Sequence, residues 1–138
     1  MIKEDKELLL KDGCSRLPYK LVCEVKYKEE GKYKTSNMVL SGVFTNEAYF
    51  TSKEGSIYST DYKPYLFPLS SITIEQEKEL SKLGVSYGEY ALHDDIRGLG
   101  IYVDEAYIFF EFCYKHHIDF LGLIEMGLAN DATGLNIY

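Results

Sequence analysis

Four residues near the end of the chain are of the types that do chemistry: Cys113, His116, His117 and Asp119. Cys113 and His116 stand three apart, so on a helix they share a face. Imidazole, thiolate and carboxylate together can ligate a divalent ion. A complete site needs further ligands, and His93, with Asp94 and Asp95, is the candidate source. The corresponding function is a small metal-dependent enzyme using His93, His116, His117 and Asp119. The spacing matches no metal-ligand motif, however, and a plainer reading covers the same residues. Two histidines at the end of an apolar helix favour its negative pole, and Asp119 restarts the chain. Cys113 as a nucleophile with a histidine base fits less well, because burial on an apolar helix raises a thiol pKa and makes it inert. Gly98-Leu99-Gly100 lacks the third glycine of a phosphate loop. No carboxylate pair has a separation that supports a hydrolase. No cofactor and no catalytic residue is expected.

A second constellation lies near the N-terminus. Lys20, Lys26, Lys28, Lys32 and Lys34 surround Tyr27 and Tyr33, with Tyr19 beside them. Cations interleaved with aromatics are what a single-stranded nucleic-acid groove needs. Glu24, Glu29 and Glu30 dilute the charge, and lysines on a hairpin also deter edge-to-edge pairing. Tyr49, Tyr58, Tyr62, Tyr65, Tyr87, Tyr90 and Tyr102 offer a third possibility, a protein-recognition surface, since tyrosine is enriched at interface hot spots.

The elements that must position these residues follow from composition and pattern. The chain has 138 residues, 46% of them apolar, enough for a core without staples. Three widely spaced cysteines make no disulfide framework and point to a reducing compartment. The charged start, Met1-Ile2-Lys3-Glu4-Asp5-Lys6-Glu7, does not read as a signal peptide. No apolar run approaches the ~20 residues of a membrane span, so a cytoplasmic protein is expected. The net charge of −7 is uneven: residues 1–70 carry +1 and residues 71–138 carry −8. The acidic half argues against nucleic-acid affinity over the whole surface.

Glu4 to Lys11 reads as a short helix stopped at Asp12-Gly13. Lys20 to Lys28 alternates as a half-buried strand, and Glu29-Glu30-Gly31-Lys32 turns it back. Tyr33 to Phe44 forms a long return with a bend at Ser41-Gly42. Glu47 to Thr51 and Ile57 to Ser59 are further strands. The stretch from Lys63 to Thr73 is then an extended, packed connector. Pro64 and Pro68 bar it from helix interior and central strand, while Tyr65 and Leu66 are too apolar for a free linker. Thr73-Ile74-Glu75-Gln76 fits a capping box that opens a helix ending at Gly84. Residues 85–103 give little pattern beyond a strand at Ile101 to Val103. Asp104 suits an N-cap for an apolar, buried helix over Ala106 to His117. Asp119 caps a turn holding Phe120 to Leu128, and the tail from Asn130 is expected to be loose.

The fold class that results is α+β. Residues 1–70 form a small SH3-like or Sm-like bent-strand barrel with an N-terminal helix. Residues 71–138 form a mostly helical unit packed on it that does not fold independently. Pro64, Tyr65, Leu66, Pro68 and Thr73 form the structural connector.

Two stretches resemble a family of uncharacterised phage- and prophage-associated proteins of gut Bacteroidetes. One is Lys63-Pro64-Tyr65-Leu66-x-Pro68-x-Ser70-Ser71-x-Thr73, and the other is His116-His117-x-Asp119-x-x-Gly122-Leu123-Ile124-x-x-Gly127-Leu128-Ala129. Glu7 to Asp12 and Arg16-Leu17-Pro18-Tyr19 are similar as well. The chain departs from that family in having Phe67 where a basic residue is usual, and no tryptophan in the late helix. The resemblance implies a common fold and a mobile-element origin, and no activity. The function expected is therefore a non-enzymatic protein-interaction or structural accessory protein with a protein partner. Nucleic-acid binding through the Lys20–Lys34 hairpin is the alternative.

Overall fold

The computed structural model describes residues 2–84 and 103–138. Helix α1 (Lys3–Arg16) leads through a 3-10 turn into strands β1 (Val22–Glu29), β2 (Lys32–Val43), β3 (Ala48–Ser52), β4 (Gly55–Ser59) and β5 (Asp61–Pro68). Helices α2 (Ile74–Lys82) and α3 (Val103–Lys115) follow, then two short strands, β6 (Ile118–Asp119) and β7 (Asn130–Asp131). The protein is α+β. Among the described residues seven strands form one mixed sheet in the order β4-β3-β2-β1-β5-β6, with β7 also on β5, and they do not close it.

The strand alternation survives folding. Cys23, Val25, Met38, Leu40, Ala48 and Phe50 are buried, and Lys26 and Lys28 face outward. Glu30 and Gly31 between β1 and β2 have φ of 50° and 79°. That is a two-residue turn of the twist-matched type, which fixes the register at Glu29 opposite Lys32. The bend expected at Ser41-Gly42 is a bulge, where the β2–β3 register shifts between Leu40 and Gly42. The Thr73 capping box is present: the Gln76 N–H donates to Thr73 Oγ1 (3.2 Å) and the Thr73 N–H to Gln76 Oε1 (2.9 Å).

The connector differs from its sequence reading. Pro64 and Pro68 lie in β5, which is paired by β1, β6 and β7 and is thus an interior strand. The ladder explains how this is possible. Because the β1–β2 turn makes Glu29/Lys32 a hydrogen-bonded pair, so are Tyr27/Lys34, Val25/Ser36 and Cys23/Met38. Glu24 and Lys26 then turn their backbone groups to Lys63 and Asp61 of β5. Pro64 stands opposite Cys23, at a non-bonded position, and its missing N–H breaks no ladder bond on that side. Pro68 is the last residue of the strand.

Other expectations change as well. Helix α1 runs through Gly13 to Arg16 instead of stopping. A Cβ on Gly13 would stand 3.1 Å from Leu40 Cδ2, so glycine there serves close helix–sheet approach. The apolar helix α3 buries Phe109, Phe112 and Cys113 but exposes Tyr107. Val103 is already helical, and the rest of the strand expected at 101–103 lies outside the described residues. The tail is not loose. β7 pairs with β5, and the Tyr138 hydroxyl accepts from the Val22 N–H (3.0 Å) while donating to the Tyr65 carbonyl (2.7 Å). It bridges β1 and β5 where their direct pairing ends.

The two halves share one core. Leu123, Leu128 and Ala129 pack with Val25, Leu40, Phe50 and Leu66. A second cluster joins Ile72 and Leu80 to Phe109, Phe112, Cys113 and Ile118. Arg16, with 0% exposure, ties α1 to this second cluster. Its Nε donates to Asp12 Oδ2 (2.8 Å), and its other nitrogens donate to the carbonyls of Cys113 (3.3 Å) and Ile118 (2.8 Å). The guanidinium also lies over the rings of Tyr114 and Phe120. No helix among the described residues is long and apolar enough to cross a membrane.

Candidate interaction site

The lysine–tyrosine hairpin and the β3–β4 hairpin flank an open groove of about 660 Å³. Lys26, Tyr27, Lys28 and Tyr33 line one side, and Ile57, Tyr58 and Ser59 the other. Glu47 and Asp61 also line the groove. The Lys28 ammonium sits 5.8 Å from the Tyr33 ring centroid, across the strand pair. The other lysines expected here are placed differently. Lys34 is held by Glu29 at 2.8 Å, Lys32 begins β2, and Lys20 occupies a left-handed turn before β1.

Beside this groove lies an aromatic patch. The Tyr58 ring is 4.9 Å from Tyr49 and 5.8 Å from Phe44. Phe44 and Tyr58 are 52% and 57% exposed. Tyr49 and Tyr58 are cross-strand partners in β3 and β4, while Phe44 is held next to them by its N–H donating to the Glu47 carbonyl (2.9 Å). The sequence marks the two tyrosines as surface candidates but not Phe44, which sits outside the alternating pattern just after β2.

The residues proposed for a metal take separate partners. His116 Nε2 is 3.0 Å from Glu79 Oε2, and Lys115 Nζ is 3.3 Å from the other oxygen of Glu79. The Asp119 carboxylate accepts from the N–H groups of Leu123 (2.8 Å) and Ile124 (2.9 Å), capping the turn expected there. His117 stacks on Tyr138, with centroids 3.7 Å apart and planes 10° from parallel. His93, Asp94 and Asp95 lie outside the described residues. Among the described residues no group of three His, Cys, Asp or Glu side chains is placed to hold a metal ion. Burial pushes the Cys113 thiol up to about 12, which leaves it unreactive at neutral pH.

His117 has a further consequence. It is 8% exposed, and among the described residues its Nδ1 has no partner. Burial, with Arg16 and His116 adding, lowers its pKa from 6.5 to about 4. Folding therefore favours neutral His117, and its contribution is complete above pH 6.5 and lost as the pH falls toward 4. Denaturant titrations between those values should show a loss on the order of 2 kcal/mol. His117→Asn, which tolerates the φ of 58°, should flatten the profile in that window. An unchanged profile would remove His117 as the titrating group.

Comparison of the chain with protein-family models, with curated proteins and with solved structures finds no match in any of the three.

Proposed function

We propose that the chain is a non-enzymatic protein-interaction module of mobile-element origin, built on an SH3-like, Sm-like bent sheet and working in the cytoplasm. The observation that carries this reading is the aromatic patch of exposed Phe44 and Tyr58 with half-buried Tyr49 beside the open groove. Large aromatics supply the contact area and low ordering cost of an interface hot spot. The antiparallel run β4-β3-β2-β1-β5 supports the bent-sheet description, though the described strands leave the sheet open, and the free state of Cys14, Cys23 and Cys113 is in keeping with a reducing compartment. Nucleic-acid binding over Lys26, Lys28, Tyr27 and Tyr33 is the second reading, since these four do line one groove. Glu47 and Asp61 in the same groove count against it.

Affinity capture from the host cell tests the leading reading. The wild-type chain should retain a defined protein that Phe44→Ser/Tyr58→Ser loses, while the variant keeps its melting temperature within a few degrees. Equal capture by both, or capture of nothing defined, would count against the patch as the interface.

A further inference from the structure

We propose that the gap between the end of β1 and the free edge of β4 takes an extended segment of another protein as an added strand. Its apolar side chains would point inward toward Ile57 and Met38, and acidic ones at its centre outward toward Lys26 and Lys28. This deepens the protein-binding reading and rests on it.

Backbone pairing carries the argument. β3 and β4 are joined by the two residues Lys53-Glu54, so Ser52/Gly55, Phe50/Ile57 and Ala48/Ser59 are the hydrogen-bonded pairs. The backbone groups of Ser56 and Tyr58 therefore face away from β3, and among the described residues β4 has no other strand partner. Across the gap, β5 pairs with β1 only as far as Lys26. The backbone groups of Lys28 point to the same side as those of Lys26 and, among the described residues, meet no strand. Two edges, unpaired among the described residues, thus flank one gap. Its closed end is pinned where the Ser59 hydroxyl donates to the Lys26 carbonyl at 2.8 Å.

Among the described residues the edge is also unprotected. Natural edge strands are blunted by lysine, proline or a bulge, yet Gly55-Ser56-Ile57-Tyr58-Ser59 has neither residue and pairs with β3 without a register shift. An added strand would meet a different chemistry on each face. On the inner side a groove of about 340 Å³ is lined by Tyr27, Ser36, Met38 and Ile57, with Glu29 and Glu54 at its rim. On the outer side stand Lys26, Lys28 and Tyr58. Among the described residues Lys26 and Lys28 make no ion pair, whereas Lys34 is already held by Glu29. Glu47 and Asp61 line the groove near its closed end and Glu29 and Glu54 the other. The complementary segment is apolar at alternate positions, acidic at its centre and basic at its ends.

The probe is a synthetic heptapeptide, Lys-Val-Glu-Val-Glu-Val-Lys, blocked at both termini and titrated into the isotopically labelled full chain. Amide shifts should centre on residues 27–29 and 55–59. N-methylation of alternate peptide amides should weaken binding about tenfold or more, because strand addition depends on main-chain bonds. Lys26→Glu/Lys28→Glu, an exposed pair, should weaken it by about tenfold while leaving the fold intact. Ser56→Pro, placed at an outward N–H, should do the same.

No binding at millimolar peptide would overturn the proposal, as would equal binding of the N-methylated form. So would shifts confined to Phe44 and Tyr49; that outcome would leave the protein-binding reading standing, whereas failure of the capture experiment would remove that reading itself. A dimer of the free chain with Ser56 and Tyr58 already protected would give the edge to a second copy and overturn it. Preferential binding of an oligothymidylate at the same amides would overturn it in favour of nucleic acid.

Discussion

Arg16→Ala is expected to cost about 3–5 kcal/mol, a large share of the roughly 5–15 kcal/mol that holds a domain folded. The fully buried guanidinium ties one turn of α1 to two carbonyls of the C-terminal half. Removing it strands the Asp12 carboxylate, whose pKa burial already raises against the pull of Arg16. Asp12 Oδ1 has no partner among the described residues, so the pair has no reserve. Arg16→Lys should recover little, since an ammonium cannot reproduce a fork that reaches a carboxylate and two carbonyls. Arg16→Met/Asp12→Leu should be milder than Arg16→Ala, because no unpaired charge remains. Urea titrations followed by circular dichroism measure all three. A loss below about 1 kcal/mol for Arg16→Ala would mean that the buried network is not holding the halves together.

Leu66→Ala should cost about 2–5 kcal/mol, the usual range for a large-to-small change at a fully buried site. Leu66 is packed in the main core and its carbonyl accepts from the Ala132 N–H at 2.8 Å. Its strand is bonded to β1 on one side and to both C-terminal strands. The loss should therefore appear as one transition, with far-ultraviolet ellipticity and tyrosine fluorescence moving together. Two separate transitions would show that residues 1–70 and 71–138 melt independently.

Legibility in the sequence followed the range of the interactions. The β1 alternation, the turn at Glu30-Gly31, the bulge at Gly42 and the Thr73 capping box are local, and each is visible as a residue pattern. Arg16 was not readable as a core residue, because nothing nearby signals carbonyls 97 and 102 positions away. Pro64 and Pro68 argued against an interior strand, and only the register explains why the missing donors cost little. Tyr138 looked like part of a loose tail because its partners, Val22 and Tyr65, belong to other strands.

The candidate site divides the same way. Lys26, Tyr27, Lys28 and Tyr33 are near one another in sequence, and their clustering was legible. The opposing edge at Ser56 and Tyr58 reaches them only through the path of the sheet. The histidine cluster shows the converse. Cys113 and His116 stand three apart and could face one ligand, but His116 pairs with Glu79, and past the left-handed turn at His117 (φ 58°) that ring stacks on Tyr138.

In the strand-addition proposal, a partner strand fills the gap that the described residues leave between β1 and β4. Amide hydrogen exchange at Lys28, Ser56 and Tyr58 tests it most directly. In the free chain these three should exchange fast beside slow, ladder-bonded neighbours such as Tyr27 and Ile57. With the heptapeptide bound, their protection should rise together by about tenfold or more. Protection already present in the free chain, or none gained in the complex, would contradict the account.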